Sequence, residues 1–285
     1  ITQWLVAVAC YRASYGMVNL VMDHADCKQD QLEQIDRLLK EKIAAEDRFK
    51  ESLKFEFLGG VNVSHAFYKS LTGNDVKKNP EFAELGLKFG DKPATAMQPN
   101  RTCRIFAESS RAAIKRADLP YPEWAQNFKG SDDYKRELKE IIARENGRVG
   151  ENPGASSNAL GEKLVFLFSS AVPQQIVKVY QIRATRRLLV AKCALKRHYL
   201  DNKALPGSLD ELVPGYLPAV PKDPYDDRDI RYSQKKQRIW CIGQDLLDQG
   251  GDEKPTEQRS AMMSLWSKWI NREEPTVHLP FANGQ

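Results

Sequence analysis

Histidine is scarce in this chain and its cysteines follow no pattern. His24, His65, His198 and His278 are scattered, with no His-Glu-x-x-His pair, so the metal-binding helix of a zinc protease is excluded. Cys10, Cys27, Cys103, Cys193 and Cys241 are odd in number and widely spaced, which excludes a complete disulfide framework and any Cys-x-x-Cys metal or redox motif. The apolar neighbours of Cys193 predict a small buried hydrophobe, and the thiols are expected to be predominantly unpaired. No Gly-x-Ser-x-Gly elbow, Walker A loop or Gly-x-Gly-x-x-Gly loop occurs, so no nucleophile or phosphate cradle of recognisable form is present.

An uninterrupted apolar run is also lacking. The stretch Ile1 to Met22 is long enough for a membrane span, but Arg12 near its middle, with Gln3, Ser14 and Asn19, favours burial against other helices. The basic start and small-residue cleavage site of a signal peptide are missing, so the chain is expected to be cytoplasmic or to have lost an upstream signal or anchor. Acidic residues are absent between Lys163 and Leu200, where Lys178, Arg183, Arg186, Arg187, Lys192, Lys196 and Arg197 occur. Such a stripe reads as a solvated or salt-bridged face, or as a surface for phosphates or an anionic membrane. The net charge of +5 and pI near 8.8 are too mild to indicate a dedicated nucleic-acid domain.

With 41% apolar and 28% charged residues over 285 positions, the composition is that of a folding globular chain, and its length suits two unequal lobes. Helical periodicity predicts helices over 1–26, 30–57, 101–117 and 132–148, with Gly59-Gly60 ending the second. Residues 71–100 read as a long Pro-rich loop, mobile or partner-contacting, and the polar stretch 150–161 as a boundary. A long helix follows, with a kink or a fresh start at Pro173. A last helix over 256–272 carries Met262, Met263, Trp266, Trp269 and Ile270, either as core or as an exposed partner site.

Between these helices the pattern changes. Ser208 and Glu211 have capping-box spacing and predict a short helix. Pro214, Pro218, Pro221 and Pro224 then force an extended arm with few ladder donors. Residues 230–233 and 238–243, joined by the polar turn 234–237, read as an antiparallel hairpin leading into an acidic glycine loop.

The string Pro206, Leu212-Val213-Pro214, Tyr216-Leu217-Pro218, Pro221-Lys222-Asp223-Pro224, Arg231-Tyr232 and Ile242-Gly243-Gln244-Asp245 resembles the soluble half of type II secretion major pseudopilins. The chain departs from them at Leu246-Leu247, where that family prefers glycine, and in lacking a hydrophobic pilin-type N-terminus directly before the helix. As a whole it is similar to uncharacterised planctomycete and verrucomicrobial envelope proteins in which a helical region precedes such a module. The resemblance implies a mainly α fold: a helical lobe over 1–160, a long helix plus small α+β module over 161–252, and a C-terminal helix and tail over 253–285.

It further implies calcium in the loop, with Asp245, Asp248 and Asp252 offering oxygens and Gly250-Gly251 giving the tight path. Asp223, Asp226, Asp227 and Asp229 read instead as turn formers. The functional expectation is a non-catalytic, periplasmic or envelope-associated scaffold that binds a protein partner or itself. Arg183, Arg186, Arg187, Trp266 and Trp269 are its candidate interaction residues, nucleic acid is disfavoured, and a membrane is reached only through an upstream anchor. The alternatives are an enzyme with a site between the lobes, or an anionic-polymer binder using the basic helix.

Overall fold

The computed structural model describes residues 2–24, 26–41, 49–72, 97–127, 131–148, 158–169, 172–251 and 275–280. The fold is mainly helical, with a small three-stranded antiparallel sheet near the C-terminus. In chain order the helices are α1 (Thr2–Asp23), α2 (Gln29–Glu41), α3 (Phe49–Thr72), α4 (Pro99–Ala117), α5 (Tyr121–Asn127), α6 (Ser131–Arg148), α7 (Ala159–Ser169) and α8 (Val172–Asn202). A 3-10 turn (Leu209–Leu212) and strands β1 (Arg231–Ser233), β2 (Arg238–Trp240) and β3 (Thr276–His278) are the further elements among the described residues. Among the described residues no helix is long and apolar enough to cross a membrane.

The chain divides into two compact units, each drawn from separated stretches of sequence. One contains Lys50–Leu119 and Asn127–Gln175; the other contains Thr2–Phe49, Pro120–Gln126 and the chain from Ile176 onward.

In the first unit, Ile105 and Phe106 of α4 pack with Leu138 and Ile141 of α6 and Val165 of α7. A neighbouring cluster joins Phe67, Leu71 and Met97 to Leu160 and Leu164. Gly59-Gly60 does not end a helix as the glycine pair predicts: α3 runs through both. At Gly60 a Cβ would stand 3.0 Å from the Phe106 ring, so the glycine serves close helix approach rather than termination. Gly161, read as part of a polar break, lies inside α7 against Thr102 and Asn158. Asn158 accepts from the Gln98 N–H at 2.8 Å and from the Thr102 hydroxyl at 3.0 Å, tying the starts of α4 and α7 together. The predicted loop over 71–100 lies mostly outside the described residues.

From Ile176 onward, α8 belongs to the second unit. Pro173 sits in its first turn, where a missing N–H costs nothing. Two of its lysines are buried. The Lys192 ammonium donates to Asn19 Oδ1 at 2.6 Å and to the Asp23 carboxylate, and Lys196 donates to the carbonyls of Met22 and His24 at 2.6 and 2.7 Å. Two cations thus meet the C-terminal end of α1, where unpaired carbonyls concentrate negative charge. The Cys193 thiol donates to Leu32 O of α2, and all five cysteines are unbridged.

Candidate functional site

The part of the second unit with the densest polar organisation is the module after α8. Its capping box forms, and the Glu211 carboxylate accepts from the N–H groups of Gly207 and Ser208 at 3.0 and 3.2 Å. The proline arm then runs to Lys222, which bridges Asp229 as an isolated antiparallel pair. The hairpin register is Arg231↔Trp240, Tyr232↔Ile239 and Ser233↔Arg238, and β3 adds to the far side of β2 with Ile239 opposite Val277. This third strand is as short as β1 and β2 and has no adjoining hairpin turn to mark it in the sequence.

Asp223, at the end of the arm, joins these pieces. Its carboxylate is fully buried and accepts from the N–H groups of Tyr225 at 2.9 Å and Ile242 at 2.8 Å, and from the Arg231 guanidinium. Burial pushes its pKa up, against the pull of those donors. The Cys241 thiol also hydrogen-bonds Asp223, and burial pushes that thiol well above its usual range. Next to this hub, Tyr121 of α5 stacks edge-on against both Tyr180 and Tyr225, with ring centroids 4.8 and 4.7 Å away. The Tyr121 hydroxyl donates to Gln244 O at the start of the glycine loop.

That loop is built on left-handed backbone. Gly243, Gly250 and Gly251 have φ of 75°, 75° and 71°, and Leu246 has φ 59°. The resemblance places glycine near Leu246, and the backbone there takes the conformation glycine favours. Asp245 accepts from the Leu247 N–H at 3.1 Å and from Gln249 at 2.9 Å. Asp248 accepts from the Trp240 indole at 3.0 Å and the Gly250 N–H at 2.9 Å, with Arg231 Nε 3.6 Å away. Although partial burial opposes it, these donors and the guanidinium hold the Asp248 carboxyl below its usual range. Asp252 lies outside the described residues. Among the described residues no group of three His, Cys, Asp or Glu could hold a metal ion.

The basic positions of α8 do not share one solvated face. Arg186 is buried, Arg187 donates to Lys222 O of the arm at 2.6 Å, and Arg183 stands over the Tyr180 ring. Arg187 thus fastens the arm to the helix. Trp266 and Trp269 lie outside the described residues. Sequence reasoning missed the two buried lysines, since pairing across the chain leaves no local signal, and the Asp223–Arg231 pair, whose aspartate reads as an ordinary turn former.

Compared with family models, with curated proteins and with solved structures, the chain matches none.

Proposed function

We propose that the protein is a non-catalytic envelope scaffold or assembly subunit, with a pseudopilin-like module at its C-terminal side and helices that take protein partners or further copies of the chain. The observation that carries this reading is apolar surface left in solvent. On α1, Met17, Leu20 and Val21 follow one another at helical spacing and are 58%, 66% and 45% exposed. On α3, Phe55 is 69% and Leu58 is 52% exposed. Side chains of this kind on successive helical turns are characteristic of association surfaces, since leaving them in water forfeits about 25 cal/mol per Å² of apolar area.

The pseudopilin-like reading is supported by the order of the module: long helix, short capped turn, proline arm, hairpin, glycine loop. It carries the envelope location with it.

The test is light scattering of the purified chain over a range of concentrations, beside Leu20→Glu and Phe55→Glu variants, with affinity capture from the native envelope. A mass above the 32.4 kDa of one chain, lowered by either variant, is expected. An association surface of this type buries on the order of 1,200 Å² or more in total. A monomer at every concentration, with no captured partner, overturns the reading.

A further inference from the structure

We infer that the Arg231 guanidinium is the module's built-in cation, holding the proline arm and the glycine loop together where a metal ion would otherwise be needed. Arg231 opens β1, opposite Trp240, and its side chain is 15% exposed. Three carboxylates from two different segments converge on it. Its Nη1 reaches Asp223 and lies 3.2 Å from Asp226 Oδ1, its Nη2 lies 2.5 Å from Asp226 Oδ2, and its Nε is 3.6 Å from Asp248 Oδ2. Asp223 and Asp226 belong to the arm and its turn, whereas Asp248 belongs to the loop. A planar guanidinium with five N–H donors can span such an arrangement; a point-like ammonium cannot.

The remaining oxygen valence is taken by N–H donors. Tyr225 and Ile242 serve Asp223, the Arg228 N–H lies 3.1 Å from Asp226 Oδ1, and Trp240 and Gly250 serve Asp248. Calcium takes six to eight oxygens at short range, and a guanidinium among these carboxylates excludes it. Three carboxylates deprived of that cation would face one another in a site where Asp223 is fully buried. Such a group repels itself and presents hard oxygen ligands, which suits calcium.

The experiment is thermal unfolding of the full chain, followed by tryptophan emission, in a calcium chelator and in millimolar calcium. Wild type is expected to melt at the same temperature in both. Arg231→Gln is expected to melt lower by on the order of 10 °C in chelator, because a buried carboxylate loses its partner, and to regain part of that loss in calcium. If the glutamine variant does not fold, Arg231→Lys keeps the charge without the fork and should melt below wild type. A wild-type protein stabilised by calcium, a glutamine variant that melts like wild type or gains nothing from calcium, or a lysine variant that melts like wild type overturns the inference.

Discussion

Lys192 Nζ lies 2.6 Å from Asn19 Oδ1 and also contacts the Asp23 carboxylate, placing a fully buried ammonium at the end of α1. Replacing the buried lysine leaves Asn19 and the partly exposed Asp23 carboxylate without their donor. Lys192→Met should cost about 1–2 kcal/mol of the second unit's stability, since the lost bonds are partly offset by relief of the ammonium's burial penalty. Trp124 and Trp240 both lie in that unit, so tryptophan emission during urea unfolding measures the loss.

The same lysine gives a pH dependence of definite sign. Burial lowers its pKa from 10.5 to about 8, partly opposed by Asp23. Between those values the unfolded chain binds the extra proton, so the lysine's penalty, complete below pH 8, is relieved as pH rises toward 10.5. The stability gap between wild type and Lys192→Met should widen over that window. Cys193 acts oppositely: burial raises its thiol from 9.0 to about 12, so its contribution is intact below pH 9 and lost as pH climbs through that range. The gap between wild type and Cys193→Ala should therefore narrow above pH 9. Unfolding titrations of the three proteins at stepped pH check both signs.

Gly161 is a steric requirement of the first unit. A Cβ there would collide with the Thr102 hydroxyl and stand 2.5 Å from Asn158 Oδ1, the atom that receives Gln98 and Thr102. Gly161→Ala should destabilise by about 2–3 kcal/mol despite its better helix propensity. Amide exchange should accelerate in α4 and α7 while the strands stay protected.

Trp240 anchors the glycine loop through its indole bond to Asp248, and a Cβ on Gly251 would stand 2.9 Å from the ring. Trp240→Phe keeps most of the packing and removes the donor. It should cost about 1 kcal/mol and raise amide exchange at Gly250 and Leu247, measured by mass spectrometry on peptides spanning the loop.

Local patterns made much of this architecture readable in advance. The apolar spacing over 101–117 and 132–148 matches α4 and α6 within two residues, and Ser208 with Glu211 marks the 3-10 turn. The alternation around Tyr232 and Ile239 marks the paired strands. What failed was reasoning about residues whose role is set by a distant neighbour. Gly60 looks like a helix end until Phe106 is seen against it. Lys192 and Lys196 look like part of a solvated or salt-bridged stripe; Arg197 and Lys192 do meet acids at Glu33 and Asp23, but the long aliphatic stems carry both ammonium groups out of solvent, to partners far along the chain. In the candidate site, the glycines and aspartates marked the loop. The guanidinium that organises them came from a strand position that periodicity treats as ordinary.

The buried contact between Lys192 and Asn19 spans 173 positions of sequence. During synthesis at roughly 5–20 residues per second, α1 leaves the ribosome some 10–30 s before the lysine that caps it exists. For that interval its exposed Met17, Leu20 and Val21 are joined in solvent by Tyr15 and Met22, which the finished protein hides. The nascent chain is therefore a stickier object than the native one, and a helper that shields amphipathic helices should act on α1.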